Sequence, residues 1–391
     1  MKARIKLITL AAGMGKRLEN FDKQNKIKPL KKVFGERLIK WSIKSYHFMF
    51  TRNILEKSDL YFVIQKEHNI KYKIEEILIK EFGDKINIIE LSQKTSGPAE
   101  SAYIAIKKSR IKNKTIIIND CDHYFNGNVL TNYFYQNKNI IKSKNQYSGI
   151  INTFDPEDSK PNWSYLKYNK KKKLLSIKEK DTQLAKLKKN GVVGSYCFFD
   201  SNNFLKEYEK ISSKKIKNEV FISNICNEFL KKKKNFKILK TFSAFPLGTI
   251  SQINRFKKIF KKQIHKLYPE PKTLLFDLDG VLTNHDKGYH SSKEKYSYPL
   301  RFIKKNIDFL KSEYEKGSII CILTARGEKE KSRVIKDFNK SRVPYHKFLF
   351  GISGGTRILI NDKKPNLNNY KVAISISTDR NKNIIVDEKN N

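Results

Sequence analysis

The sequence predicts an α/β fold in two domains, each built on a β-sheet with helices packed against it. Short apolar runs alternate with segments whose apolar residues recur at helical intervals, which is the pattern of a parallel sheet wrapped by helices. This pattern starts twice, near residues 5 and 273, and each time an apolar strand ends in a turn that contains charged side chains and glycine. A chain of 391 residues also exceeds the size of one typical core.

The apolar pattern places the elements of the first domain. Four apolar runs predict strands, and two segments of helical period predict helices between them. The predicted strands are 5–10, 60–64, 86–91 and 115–118, and the predicted helices are 38–50 and 71–82. In open sheets of this kind ligands bind beyond the carboxyl ends of the strands.

The charge of the chain limits its partners. Lysine and arginine number 81 against 39 acidic residues, which gives a formal net charge of +42. The lysines are spread along the whole sequence, and Lys, Asn, Ile, Phe and Tyr are abundant together, as in proteins of AT-rich genomes. We therefore expect salt-sensitive attraction to nucleotides and sugar phosphates, and no specific nucleic-acid site.

Cysteine spacing and hydropathy bear on location. The four cysteines lie singly in apolar surroundings, so their spacing predicts neither a zinc site nor a disulfide framework. No apolar run approaches the roughly 20 residues of a membrane span, and the N-terminus shows no signal-peptide pattern. We expect a cytoplasmic protein without a membrane span. The sequence leaves formation of a homo-oligomer open.

The first strand ends in a turn of small residues, Leu10-Ala11-Ala12-Gly13-Met14-Gly15-Lys16-Arg17-Leu18. Two glycines let backbone N–H groups converge on phosphate oxygens, and a helix starting near Arg17 would add its positive N-terminal end. The spacing is neither the P-loop pattern nor the dinucleotide fingerprint. A Gly-Met-Gly alone also fits an ordinary strand-to-helix turn.

Together with Lys28-Pro29-Leu30, this turn resembles the sugar-phosphate nucleotidyltransferase family, whose signature reads L-A-A-G-x-G-x-R-L and then K-P-L. The resemblance implies a Rossmann-like nucleotidyltransferase domain over residues 1–261. It also implies that the triphosphate of a nucleotide is held by the loop, and that Lys28 assists at the reacting phosphate. The implied nucleotide-binding residues of the loop are Ala12, Gly13, Gly15, Lys16 and Arg17.

Two later segments extend the resemblance. Gly97 matches a glycine that lets the backbone approach the nucleobase or sugar, although Ser-Gly-Pro before a helix is equally good capping chemistry. Asp120 and Asp122 follow a buried strand, where two carboxylates repel each other unless a cation or hydrogen-bond donors lie between them. The resemblance places Mg²⁺ at Asp122, with Asp120 as second choice. His123 is interpreted as a local hydrogen-bonding residue.

The acceptor side is also assigned by resemblance. Lys180 would contact the phosphate of the acceptor and Glu179 its sugar hydroxyls, while Gly194 would leave room for the sugar. One position departs from the pattern, because Pro246 stands where relatives that make sugar nucleotides carry a second metal-binding aspartate. Metal binding would then rest on Asp122, phosphate oxygens and water, or on Glu219.

Residues 262–271 are interpreted as a linker and residues 272–391 as the second domain. Its first strand delivers Asp277-Leu278-Asp279-Gly280, a predicted strand at 319–323 ends in Thr324, and a predicted strand at 357–360 ends in Asn361-Asp362. In this order the motifs resemble the haloacid-dehalogenase superfamily of phosphatases. One helix, 300–315, leaves no room for a large cap domain, so we expect an essentially uncapped, HAD-like α/β domain.

The resemblance assigns roles in this second site. Asp277 would be the nucleophile that forms an aspartyl-phosphate, and Asp279 the general acid and then base. Thr324 would donate to the phosphoryl oxygens. Mg²⁺ would be held by Asp277, Asp362 and the backbone carbonyl of Asp279. The lysine that the superfamily requires is assigned to Lys347, with Lys363 as its rival.

The sequence therefore predicts a bifunctional, Mg²⁺-dependent enzyme. One domain would transfer a nucleotidyl group from a nucleoside triphosphate to a sugar, polyol or choline-like phosphate, and the other would hydrolyse a phosphomonoester. Fusions of this kind fit bacterial surface-polysaccharide or capsule biosynthesis. Two alternatives stay open: a phosphatase whose N-terminal domain only binds ligand, and a non-enzymatic protein that binds polyanions.

Overall fold

The structure, a computed structural model, describes residues 5–18, 21–22, 27–136, 147–156, 158–170, 173–213, 219–241, 244–267, 272–285, 298–315, 318–341, 343–360 and 374–385. The chain divides into two compact units, Met1–Pro269 and Glu270–Asn391. No helix within these described ranges combines the length and apolar content that crossing a membrane requires.

The first unit contains thirteen strands and ten helices among its described residues. The strands are β1 (Lys6–Leu10), β2 (Lys32–Val33), β3 (Glu36–Arg37), β4 (Leu60–Gln65), β5 (Asn87–Leu91), β6 (Ile116–Asp120), β7 (His123–Phe125), β8 (Tyr147–Phe154), β9 (Ser164–Tyr168), β10 (Leu174–Glu179), β11 (Gly191–Phe198), β12 (Asn235–Lys240) and β13 (Ala244–Pro246). The helices are α1 (Leu38–Lys44), α2 (His47–Thr51), α3 (Lys66–Tyr72), α4 (Ile74–Phe82), α5 (Pro98–Lys108), α6 (Asn128–Gln136), α7 (Thr182–Lys186), α8 (Ser201–Ser212), α9 (Ile222–Lys231) and α10 (Ile250–Leu267).

A nine-stranded sheet forms the centre of this unit. Its main path runs β10-β9-β11-β6-β1-β4-β5, and β8 joins β11 to β12. The four strands β6, β1, β4 and β5 are parallel, whereas β11 runs antiparallel to β6. In β1, Leu10 pairs with Asp120 on one side and with Val63 on the other. The carboxyl ends of the parallel strands therefore meet at one edge.

The parallel strands are apolar on both faces because both faces are covered. Leu7 and Ile117 belong to one buried cluster, and their neighbours Ile8 and Ile118 belong to the cluster on the opposite face. This explains why the sequence shows continuous β-branched runs rather than an alternation of apolar and polar residues. All four predicted strands of the first domain are confirmed, with shifts of at most two residues at their ends.

The helices of the structure have different bounds from the predicted helices. The segment 38–50 is interrupted between α1 and α2, and Lys73, in the left-handed conformation with φ 50°, separates α3 from α4. The helix expected near Arg17 is a single 3-10 turn, Lys16–Leu18. One turn aligns too few peptide dipoles for a helix N-terminus to help bind phosphate, so that part of the prediction was wrong.

The second unit has a smaller, parallel sheet. Its strands β14 (Thr273–Asp277), β15 (Ile319–Leu323) and β16 (Lys347–Leu349) pair in that order, and its helices are α11 (Lys304–Glu315) and α12 (Lys331–Lys340). Phe276, Ile320 and Phe338 are among the buried residues of its core.

One expectation for this half needs correction. Residues 357–360 form no strand, and Ile358 and Ile360 are 82% and 91% exposed. An apolar run has strand propensity, but a strand also needs a paired neighbour, and no described strand pairs with this segment. Helix α10 of the first unit ends at Leu267, within the expected linker 262–271.

Candidate active site

The glycine turn and the acidic residues lie at the same edge of the large sheet. The turn follows β1 directly, and Asp120, which pairs with Leu10, is the last residue of β6. Asp122 lies in the short turn between β6 and β7. The ladder between β1 and β6 therefore brings together two motifs that are about 100 residues apart in sequence.

Gly15 fixes the position of Lys28. With φ at +75°, a Cβ on Gly15 would lie 2.5 Å from Cβ of Lys28, so only glycine allows this close approach. The backbone N–H of Lys28 donates to the carbonyl of Met14 at 3.2 Å. At the far end of its side chain, Lys28 Nζ lies 2.7 Å from Oδ2 of Asp122. The glycine turn thus aims a lysine at the acidic pair.

The charges of this site are coupled. Burial alone would lower the pKa of Lys28, but the Asp122 carboxylate outweighs burial and raises it. Burial alone would raise the pKa of Asp122, but Lys28, with help from Arg17, lowers it. Arg17 is exposed and close enough to act on this carboxylate. The structure therefore places Lys28 on Asp122, with Arg17 near enough to lower the pKa of that carboxyl.

Asp120 is the second carboxylate of the site. Burial and the neighbouring Asp122 charge raise the pKa of Asp120 to about 7. Gly194 lies against it with φ at +79°, and a Cβ there would be 2.5 Å from Oδ2 of Asp120. The space that glycine provides at this position is filled by a carboxylate of the protein itself, whereas the sequence assigned it to the sugar.

His123 and the segment that follows β13 pack against the turn that carries Asp122. His123 is 5% exposed, and burial lowers its pKa to about 4. It pairs with Pro246 in the ladder between β7 and β13. The next residues also lie on Asp122: the N–H of Leu247 donates to its carbonyl at 2.7 Å, and a Cβ on Gly248 would lie 2.6 Å from Oδ2. The sequence did not identify this role of Gly248.

Glu179 is placed next to the acidic pair. Its Oε1 accepts hydrogen bonds from Ser164 Oγ at 2.6 Å and from Ser223 Oγ, and its charge helps to raise the pKa of Asp120. It also lines an open cavity of about 700 Å³ between β10 and α9, together with Glu219. The next residue, Lys180, is exposed and has the left-handed backbone with φ 49°.

The other residues that the sequence assigned to nucleotide binding are Gly97, Gly13, Ala12 and Lys16. Gly97 precedes α5, and a Cβ there would lie 2.7 Å from the carbonyl oxygen of Val220, so packing against the chain accounts for this glycine. Gly13 is exposed and Ala12 is half-buried. Lys16 contributes its backbone to the 3-10 turn, and its side chain lies outside the described part of the structure.

The donor set suits a hard cation only in part. Mg²⁺ is commonly held by one or two carboxylates together with substrate phosphates. Asp120 and Asp122 supply the carboxylates, and the raised pKa of Asp120 is the response of a buried acid whose neighbour is also an acid. Within the described ranges, no three acidic, histidine or cysteine side chains converge on one point. The pair therefore fits Mg²⁺ that substrate oxygens help to hold.

The second unit places Asp277, Asp279 and Thr324 at one sheet edge, since Asp277 pairs with Leu323. The Asp279 carboxylate receives the buried Arg326 guanidinium at 2.6 Å and 3.1 Å, and Thr324 Oγ1 donates to it at 3.3 Å. Burial would lower the pKa of Arg326, but Asp279 reverses this effect and raises it. The sequence analysis did not identify this contact of Arg326.

The cation next to the expected nucleophile is Arg357. Its Nη2 lies 3.3 Å from Oδ1 of Asp277. Lys347 is exposed and pairs with Cys321, two residues before the row that contains Asp277, a separation of roughly 7 Å along the strand. The structure therefore does not bring Lys347 to Asp277. Asp362 and Lys363 lie outside the described residues.

Three solved structures resemble this chain. One is the nucleoside-diphosphate-sugar pyrophosphorylase from Vibrio cholerae RC9, with 18% identity, a TM-score of 0.50, and coverage of 64% of this chain and 99% of that one. Another is the inositol-1-phosphate CTP transferase from T. maritima, with 16% identity, a TM-score of 0.52, and coverage of 68% and 97%. The third is a candidate glucose-1-phosphate thymidylyltransferase from Bacillus anthracis, with 21% identity, a TM-score of 0.51, and coverage of 65% and 94%.

About two thirds of the chain has the sugar-phosphate nucleotidyltransferase fold. Neither a protein-family model nor a curated protein sequence matches the chain. At these identities the likeness establishes the fold alone, and it does not address the HAD-like assignment of the second unit.

Proposed function

We propose that the first unit transfers a nucleotidyl group from a nucleoside triphosphate to a sugar, polyol or choline-like phosphate. The observation that carries this proposal is the Lys28–Asp122 pair at 2.7 Å, with Asp120 and Arg17 beside it, at the strand edge that follows the glycine turn. The reaction brings several anionic oxygens together, so it depends mainly on positioning and on neutralisation of charge.

The residues divide this work between them. An oxygen of the acceptor phosphate forms a bond to the α-phosphorus, and the bond from that phosphorus to the bridging oxygen breaks as pyrophosphate leaves. Arg17 and Lys28 offset the charge of the triphosphate, and Lys180 offsets that of the acceptor phosphate. Asp120 and Asp122 would hold Mg²⁺, which supplies charge stabilisation and a template for the phosphates.

The test is a matrix of nucleoside triphosphates against sugar, polyol and choline-like phosphates, with pyrophosphate release as the readout. We expect turnover with one pair in the presence of Mg²⁺. Arg17→Ala should abolish that turnover, and Asp277→Asn, in the other unit, should leave it unchanged. An absence of pyrophosphate release across the whole matrix would refute the proposal.

We propose in addition that the second unit is a phosphatase. The observation that favours this activity is the placement of Asp277, Asp279 and Thr324 at the carboxyl edge of a parallel sheet, with Arg357 on the Asp277 carboxylate. Asp277 would attack the phosphorus while the ester oxygen leaves with a proton from Asp279, and water would then cleave the aspartyl-phosphate. Asp279 must first release the Arg326 guanidinium and take up a proton from solvent.

Hydrolysis of phosphomonoesters by the full chain tests this second activity. Asp277→Asn should abolish hydrolysis while pyrophosphate release continues. Arg357→Ala should slow hydrolysis more than Lys347→Ala does, because the Arg357 guanidinium lies on the Asp277 carboxylate and Lys347 pairs two residues before its row. If Lys347→Ala has the larger effect, the assignment of Arg357 is wrong.

A further inference from the structure

Helix α1 holds both ends of the turn that carries Asp120 and Asp122. Ser42 Oγ donates a hydrogen bond of 2.6 Å to the backbone carbonyl of Asp120, where β6 ends. Ser45, directly after α1, accepts with its Oγ a hydrogen bond of 3.0 Å from the N–H of Phe125, where β7 ends. Ser42 and Ser45 are 0% and 2% exposed. Two buried hydroxyls, three residues apart, therefore fix the acidic turn.

A buried network fixes the first of these hydroxyls. Asn119 Nδ2 donates to Ser42 Oγ at 2.7 Å, and Tyr46 OH donates to Asn119 Oδ1 at 2.7 Å. Tyr46 OH also lies 2.8 Å from Oγ of Ser195, the residue next to Gly194. All four polar side chains are fully buried. Because each group has a partner in a region of low dielectric, the network has one preferred arrangement.

We propose that Ser42 and Ser45 are positioning residues for nucleotidyl transfer, which set where the Asp120 and Asp122 carboxylates meet the substrate phosphates. This inference rests on the activity proposed for the first unit. Neither hydroxyl is accessible to substrate, so each acts only through the acidic turn. Displacement of a reacting group by about 1 Å can cost roughly 100-fold in rate, and the loss of either bond frees one end of the turn.

The experiment compares Ser42→Ala and Ser45→Ala with the matched control Ser201→Ala in the full chain. Ser201 is also 0% exposed, and its Oγ donates to the carbonyl of Ile111 at 3.0 Å, beyond the opposite end of β6. All three variants lose one buried hydroxyl and should show similar decreases in Tm. Only the first two should lower kcat, by about tenfold to 100-fold, with the KM for the nucleoside triphosphate changed by less than roughly twofold.

Hydrogen exchange of the peptide 119–127 provides a readout that does not require activity. We expect faster exchange of this peptide in Ser42→Ala and Ser45→Ala, and wild-type exchange in Ser201→Ala. Faster exchange with an unchanged kcat would overturn the positioning role, and so would a loss of kcat in all three variants in proportion to Tm. A wild-type chain without turnover would instead refute the proposed activity, and wild-type exchange in the two variants would refute the fixing of the turn.

Discussion

Replacement of Asp120 by Asn should stabilise the first unit at high pH, although Asp120 is one of the two carboxylates of the site. In the folded chain, burial and the Asp122 charge raise the pKa of Asp120 to about 7, from an ordinary value of 3.8. Between these values the folded protein retains a proton that the unfolded chain has already released. The contribution of Asp120 to stability therefore falls as the pH rises from about 4 to about 7.

The size of this change in stability follows from the pKa shift of Asp120. Each unit of pKa difference corresponds to about 1.4 kcal/mol, so the charged Asp120 side chain costs the folded state at most about 4 kcal/mol above pH 7. Asparagine has a similar shape and does not titrate. The difference in free energy of unfolding between Asp120→Asn and the wild-type chain should thus grow by about 2–3 kcal/mol from pH 5 to pH 8, in favour of the variant.

Tryptophan fluorescence during urea unfolding measures this difference in the intact chain. The two tryptophans, Trp41 and Trp163, both lie in the first unit, so the signal reports that unit alone. Asp84, an exposed residue in the turn before β5, provides the control Asp84→Asn, which removes a carboxylate outside the site. If the difference in free energy of unfolding between Asp120→Asn and the wild-type chain stays constant from pH 5 to pH 8, the burial of Asp120 and its coupling to Asp122 are wrongly assigned.

Two further substitutions test the packing of the site by the same fluorescence signal. Gly194→Ala should destabilise the first unit by about 1–3 kcal/mol more than Gly35→Ala, because both glycines have positive φ but only Gly194 would place its Cβ against a carboxylate. An equal loss would show that backbone strain alone explains Gly194. Lys28→Met should cost about 1–3 kcal/mol, since it leaves the Asp122 carboxylate without its partner. Lys240→Met, at an exposed ion pair, should cost less than about 1 kcal/mol; the reverse order would contradict the pairing seen in the site.

Much of the fold was predictable because its signals are local. Strands β1, β4 and β5 are short apolar runs between polar segments, a pattern that adjacent residues alone reveal. The helical segments were harder to delimit, since the interruption after α1 follows from contacts of Ser45 and Tyr46 with residues of β6 and β7. The run at 357–360 had strand propensity, but no strand in the described part of the chain pairs with it.

The residues of the candidate sites also fall into two groups: those that a local motif predicts and those that only long-range contacts place. Arg17, Lys28 and Asp122 could be predicted because each lies in a short motif with a characteristic spacing. Arg357 was missed, since its contact with Asp277 spans 80 residues and follows no motif. The lysine chosen from the sequence, Lys347, lies in β16, two residues before the row that reaches the sheet edge.

The sequence alone determined that two α/β sheets each end a strand in charged residues suited to phosphate chemistry, because strand period, glycine turns and motif spacing are properties of adjacent residues. Only the tertiary structure decided which groups face one another: Lys28 with Asp122, Arg326 with Asp279, and Ser42 and Ser45 with the acidic turn. Such pairs join residues tens of positions apart, and their distances depend on the register of strands and the packing of helices, which no local pattern encodes.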